Sequence, residues 1–137
     1  MKTIFITGAT SGIGLVAASE LASNGNKVLA TARNMDSGDK LLAHYRNNYP
    51  KGKGTIKIIL CDLSSFESIV KACDQVRLEN KCIDVLINNA GVWNFSYRES
   101  QNNIEETLQV NVLQSHPLSI SPIRVHSNFG LLSAMSW

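Results

Sequence analysis

Residues Thr7-Gly8-Ala9-Thr10-Ser11-Gly12-Ile13-Gly14 constrain this chain more than any other stretch. They follow Lys2–Ile6, a short apolar run rich in β-branched residues, and precede Leu15–Ser23, where apolar residues recur at helical spacing. The three glycines therefore mark a junction between a strand and a helix. A glycine reaches φ > 0 and carries no Cβ, so the backbone can turn sharply and approach a ligand closely. The helix that follows aims its unpaired N–H groups and positive dipole end at the turn, which suits a phosphate. On this reading Gly8 makes the turn, Gly12 admits a pyrophosphate and Gly14 lets helix and strand pack closely. A tight turn with no ligand is the other reading of the same glycines.

The rest of the pattern alternates strand and helix. A first helix is expected over Gly12–Asn24, with Ile13, Val16, Ala17 and Leu21 on one face and Gly25 as its left-handed cap. Val28–Thr31 reads as a strand, and Asn34–Asn48 as a helix with Leu41, Leu42 and Tyr45 inward. Tyr49–Gly54 is a loop, and Ile56–Leu60 a third strand. Ser64–Glu67 fits a capping box, opening a helix that buries Ile69, Cys73 and Val76. Ile83–Ile87 is a fourth strand, and Asn103–Leu113 a helix with Ile104, Leu108 and Asn111 on one side. Strict alternation of this kind gives a parallel sheet with right-handed crossovers. With the glycine turn after the first strand, the fold class is α/β, a doubly wound Rossmann-type sheet truncated after about four strands.

Composition narrows the class further. An apolar content of 44% and a charged content of 18% describe a globular chain, and a net charge of +2 gives no basis for nucleic-acid binding. Lys51 and Lys53, the local basic cluster, fall in a loop-like segment. Cys61, Cys73 and Cys82 have neither CxxC nor metal spacing, and their odd number points to a reducing, cytoplasmic setting. The chain runs directly into a strand rather than a targeting segment, and no apolar run approaches the ~18 residues of a membrane span. His44, His116 and His126 show no ligand pattern, so no metal is expected. After Leu113 the composition changes. Residues 114–137 hold six serines, two prolines, two histidines and one basic residue, Arg124, with no acid. This stretch is expected to be an irregular tail beyond an incomplete dinucleotide-binding domain of residues 1–113.

Four motifs together resemble the short-chain dehydrogenase/reductase family. They are Thr7-Gly8-x-x-x-Gly12-x-Gly14, Asp62-Leu63, Asn88-Asn89-Ala90-Gly91 and Asn111, in the family's order. Ala32-Arg33-Asn34 and Leu86–Val92 look like the retinol-dehydrogenase-like branch. The resemblance implies NADP-dependent hydride transfer on an alcohol or carbonyl. It also implies cofactor contacts at Gly8, Ser11, Gly12, Ile13 and Gly14, at Arg33, at Asp62 and Leu63, and at Asn89, Ala90 and Gly91. Asp62 would accept from the adenine amino group; its other reading is a cap for the next helix. Asn88 and Asn89 would brace the neighbouring loop and line the cofactor site.

Cofactor choice follows from the end of the second strand. A carboxylate there would hold the ribose 2′-OH of NAD, but Ala32 occupies the place and Arg33 follows. Arg33 can pair with a 2′-phosphate, so NADP is expected over NAD; an ordinary surface arginine is the alternative. Asn111 matches the family's catalytic asparagine, which supports a lysine through water. That lysine belongs to a Tyr-x-x-x-Lys pair needed for proton exchange with the substrate oxygen. No tyrosine follows Tyr97 and no lysine follows Lys81. Tyr49 and Lys53 have the right spacing, but Pro50 and Gly52 break the helix the pair requires. The expectation is therefore an oxidoreductase-type domain that does not turn over. Its competitors are a regulatory pseudoenzyme that only binds the dinucleotide, and a truncated or frame-altered product. Self-association is expected through an uncovered edge of the fourth strand.

Overall fold

The structure is a computed structural model that describes residues 1–80 and 82–113, together with the main chain of residues 132–133. Its sheet is parallel and ordered β3-β2-β1-β4-β5. The strands are β1 (Thr3–Ile6), β2 (Lys27–Ala32), β3 (Thr55–Leu60), β4 (Val85–Asn88) and β5 (Leu132–Ser133). Between them lie α1 (Gly12–Ser23), α2 (Met35–Asn48), α3 (Phe66–Glu79) and α4 (Glu106–Leu108), which continues as a π-helical turn over Gln109–Leu113. The order is that of a Rossmann-type sheet, with β1 and β4 side by side at the centre.

Two apolar layers hold the sheet. On one face Ile6, Val28 and Ala30 meet Ala18, Ala22 and Leu41 from α1 and α2. On the other, Phe5, Leu29, Ile59 and Leu86 meet Ile69, Cys73, Val76 and Val110. These strand residues are nearly continuous apolar runs because a parallel sheet is covered on both sides. Gly25, at φ +88°, ends α1 as expected.

The structure corrects four expectations. The buried residues of α1 are Gly14, Ala18, Ser19 and Ala22, whereas Ile13 and Val16 are exposed. The helix lies close over β2 and β3, so its small residues face inward and its large ones stand away. Ser65, not Ser64, caps α3, accepting from the Ser68 N–H at 3.3 Å. Ser64 is already committed to Asp62. The helix expected over Asn103–Leu113 begins at Glu106 and widens into a π-turn, which exposes Leu108 and buries Gln109 and Val110. A fifth strand exists where none was expected: Leu132 and Ser133 pair with Ile87 and Asn88 of β4. Such pairing uses main-chain groups, so it needs no side-chain pattern. His116, His126 and Arg124 lie outside the described residues.

Candidate functional site

The chain turns at the carboxyl end of β1 because Gly8 takes φ +65° and Gly12 φ +53°. A Cβ on Gly8 would lie 2.6 Å from the Ala90 Cα, so the turn after β1 sits directly against the segment after β4. A Cβ on Gly14 would overlap the Gly8 carbonyl oxygen and the Asn89 amide nitrogen. Close packing at Gly14 is therefore against this turn rather than against a strand. A Cβ on Gly12 would meet nothing within 4 Å. Of the three glycines, Gly12 is the one that faces open space.

That space is a cavity of about 450 Å³ along the carboxyl ends of the strands. The size falls within the range of small-molecule sites. It brings together Gly8, Ser11, Gly12, Ile13 and Gly14 with Arg33, Asp62 and Leu63, and with Asn89, Ala90 and Gly91. Asn111 is not among the lining residues. Lining groups that were not among the expected cofactor contacts are Thr10, Thr31, Cys61, Ser64, Val92, Glu106 and Val110.

Hydrogen bonds explain why the walls hold their shape. Thr7 is fully buried, and its Oγ1 accepts from the N–H groups of Asn89 at 3.1 Å and Ala90 at 3.0 Å. Asn89 Nδ2 donates to the carbonyls of Thr7 at 3.1 Å and Gly8 at 2.9 Å. These contacts tie the β1 and β4 loops together. Asn88 Oδ1, by contrast, is buried with no partner among the described residues. The bracing expected of both asparagines is thus found for Asn89. Asn111 grips the main chain of Val92, accepting from its N–H and donating to its carbonyl, both at 2.8 Å. At the far side Asp62 Oδ1 accepts from the N–H and hydroxyl of Ser64 at 2.9 and 2.7 Å. Asp62 thus shapes its own turn, and its N–H is fixed to Ser68 Oγ at 2.9 Å.

The charges around the cavity are few. Arg33 is exposed at its rim, and Asp62 and Glu106 are its carboxylates. Burial pushes the neighbouring Cys61 thiol up to about 12, helped by Cys73 and Asp62, so it stays protonated and unreactive. At the N-cap of α1, Ser11 supplies no side-chain cap, which leaves the first-turn N–H groups available to a ligand.

Tyr49 and Lys53 lie away from this cavity. Tyr49 stacks on Tyr45, and the Lys53 N–H bonds the Ser23 carbonyl at the C-terminal end of α1. His44 Nδ1 rests 3.1 Å from Ser19 Oγ, inside the α1–α2 contact. Among the described residues no group of His, Cys, Asp and Glu could hold a metal ion, and no helix is long and apolar enough to cross a membrane.

Residues 2–117 match the family described as short chain dehydrogenase. The chain is 30% identical over 119 residues to the WW domain-containing oxidoreductase of Drosophila melanogaster, covering 87% of this chain and 29% of that protein. It is 32% identical over 120 residues to retinol dehydrogenase 14 of Mus musculus, covering 82% of this chain and 36% of that one. The bulky-bulky ketone specific alcohol dehydrogenase from Comamonas testosteroni superimposes with a TM-score of 0.71 at 28% identity, over 88% of this chain and 47% of that chain. A short-chain dehydrogenase from Sphingobium yanoikuyae, solved in complex with NADPH, gives a TM-score of 0.71 at 27% identity, covering 88% of this chain and 46% of that one. The chain thus spans about a third of the length of these curated relatives and under half of these solved ones. With the glycine turn, the asparagine brace and the strand order all in place, the chain belongs to the short-chain dehydrogenase family.

Proposed function

We propose that this chain binds a nicotinamide dinucleotide, NADP in preference to NAD, in the cavity at the carboxyl ends of its strands. The observation that carries the reading is convergence. Residues from β1, β2, β3 and β4 loops line one cavity, and Gly12 would place any Cβ in its open space. The cavity fits the group: α1 offers uncapped N–H donors to a pyrophosphate, and Arg33 offers a cation to a 2′-phosphate. Asp62 and Leu63 take the adenine, and Asn89–Gly91 form the floor. Asn111 acts as a positioning residue that fixes the Val92 main chain.

A bound NADPH supplies hydride for a carbonyl, and the partner proton must come from the protein. The 137 residues hold no tyrosine after Tyr97 and no lysine after Lys81. They therefore supply the dinucleotide-binding part of an NADP-dependent alcohol/carbonyl oxidoreductase, and as they stand they bind without turning over. Among the described residues β5 pairs Ile87 and Asn88 of β4 and no strand pairs the outer main-chain edge of Val85 and Leu86, which is where self-association would occur.

Calorimetric titration with NADP and NAD, alongside an assay with NADPH and a panel of aldehydes and ketones, tests the reading. The expected result is saturable NADP binding and no carbonyl-dependent oxidation of NADPH. Absence of binding overturns the site, and turnover lost on Asn111→Ala overturns the inactivity.

A further inference from the structure

We infer that Gln109 is a positioning residue of this cavity: its buried amide tethers the Leu63 main chain to the helix turn that carries Val110, and so sets the slot that receives the base of the dinucleotide. This rests on the dinucleotide reading above. Leu63 and Val110 both line the cavity and share one apolar cluster with Cys61. Leu63 lies in the connection between β3 and α3, where neither ladder nor helix holds its carbonyl. Gln109 Nε2 donates to that carbonyl at 3.5 Å and to Asn102 Oδ1 at 3.0 Å.

Gln109 is fully buried, and a buried amide costs free energy unless its groups are paired. Here they are paired on both sides, because Oε1 accepts from the Ser100 hydroxyl while Nε2 donates twice. Ser100 is itself pinned, its Oγ accepting from the N–H groups of Asn102 at 3.2 Å and Ile104 at 3.4 Å. Asn102 Oδ1 also accepts from the Phe66 N–H at 2.9 Å, at the start of α3. One side chain thereby joins the connection after β3, the loop over residues 100–104 and the π-helical turn that continues α4.

Packing alone does not call for glutamine at this place, since an apolar side chain of the same length would fill it at no polar cost. What the amide adds is direction, because a satisfied buried network fixes one arrangement of the groups it joins. The group fixed is the main chain of a cavity wall, and the residue that fixes it adjoins Val110 of the facing wall. A planar base is held by apolar contact on its faces, and a gap of about 0.5–1 Å forfeits about a quarter to a half of such contact. Loss of the tether therefore reaches the ligand through Leu63, although Gln109 does not itself line the cavity.

The test titrates the parent chain, Gln109→Met and Gln109→Glu with NADP, well below their thermal midpoints, at about pH 8 and about pH 6. Gln109→Met keeps the length and loses the tether, and is expected to bind NADP about tenfold more weakly than the parent at both pH values, the scale of one hydrogen bond. Gln109→Glu keeps the bond from Ser100 but turns an acceptor toward the Leu63 carbonyl and Asn102 Oδ1. Its loss relative to the parent is expected to be at least as large at the higher pH and to shrink at the lower one, because burial raises a carboxyl and its protonated form donates again. Ser100→Ala, which frees Oε1 and leaves the apolar cluster untouched, is the milder variant should both fail to fold, with a smaller loss in the same direction. A residue that only stabilised the fold would lower the thermal midpoint and leave the affinity of the folded protein unchanged. Parent-like NADP affinity in every variant that folds therefore overturns the role of Gln109 and leaves the dinucleotide site standing. Absence of NADP binding by the parent overturns both.

Discussion

Gly14→Ala and Gly12→Ala differ by two positions and should fail in opposite ways. At Gly14 a Cβ would overlap the Gly8 carbonyl oxygen and the Asn89 amide nitrogen, and lie 3.0 Å from the Gly8 carbonyl carbon. No rotamer relieves this, because one obstacle is main chain. The other, Asn89 Nδ2, is held by the Thr7 and Gly8 carbonyls. Overpacking of a tight contact costs about 1–3 kcal/mol. Parting the two loops forfeits the two Asn89 bonds, at about 0.5–1.5 kcal/mol each. Alanine returns about 1 kcal/mol of helix propensity. The net loss is about 1–5 kcal/mol, a large share of the ~5–15 kcal/mol that holds a typical domain. At Gly12 the Cβ meets no protein atom, and the cost is the φ of +53°, about 1–2 kcal/mol. That Cβ enters the cavity, so NADP affinity should fall more than tenfold while the fold survives. Thermal unfolding followed by circular dichroism, with NADP titration of each variant, separates the two. A Gly14→Ala protein that melts with the parent, or a Gly12→Ala protein that binds NADP like the parent, refutes the assignment.

Arg33→Ala should weaken NADP by about 10–100-fold and leave NAD unchanged, since a hydrogen bond to a charged group contributes about 1.5–3 kcal/mol; calorimetry reads both, and an equal loss removes Arg33 as the discriminator. Thr7→Val keeps the shape of a fully buried side chain but strands the N–H groups of Asn89 and Ala90, and should cost about 2–5 kcal/mol in denaturant unfolding, with Thr7→Ser restoring most of it. Cys61, raised to about 12 by burial, should resist alkylation in the native protein at about pH 8 while the half-buried Cys82 reacts, as mass spectrometry of the labelled chain would record. The Lys71 hydrogen bond lowers the Glu67 carboxyl, the Lys57 bond lowers Glu79, and the Thr107 and Leu108 N–H groups lower Glu105. Their stabilisation is present above the ordinary carboxylate value and is lost as pH falls through the lowered one, so the melting temperature should drop on acidification below about pH 4, and a flat profile there would contradict it.

How far each element could be read depended on whether its partners were local. The strands and α2 followed from apolar runs and from Asn34, whose side chain accepts from the Ser37 N–H at 2.9 Å as an N-cap should. The inward face of α1 did not, because periodicity favours large residues, whereas the close approach to β2 and β3 demands Ala18 and Ala22 and the Gly8 turn demands Gly14. The capping of α3 turned on two adjacent serines, and only the turn made by Asp62 decides between them. α4 depends on groups far away in sequence. Asn102 accepts from the Phe66 N–H across 36 positions, and Gln109 reaches Leu63 across 46, which no local pattern contains.

The cavity was legible where the backbone itself does the work. A glycine that must turn, or must leave room, announces itself in any sequence, and the glycines at 8, 12 and 14 occur together with the asparagine motif that packs on two of them, Gly8 and Gly14. Thr7 stood in the glycine motif without its bracing role, and Glu106 carried no signal, since each acts through a partner more than ten positions away. The adjacent asparagines show the limit most sharply. Successive strand residues point to opposite faces, so identical neighbours meet different surroundings. Asn89, just past β4, turns into the β1 loop and donates to two carbonyls there. Asn88, the last residue of β4, is paired in register with Ser133 and keeps a buried acceptor unpartnered among the described residues. An orphaned acceptor of that kind costs about 1–3 kcal/mol. Of the two neighbours, Asn89 is therefore the one that braces the glycine cradle, and Asn88 the one that carries the cost.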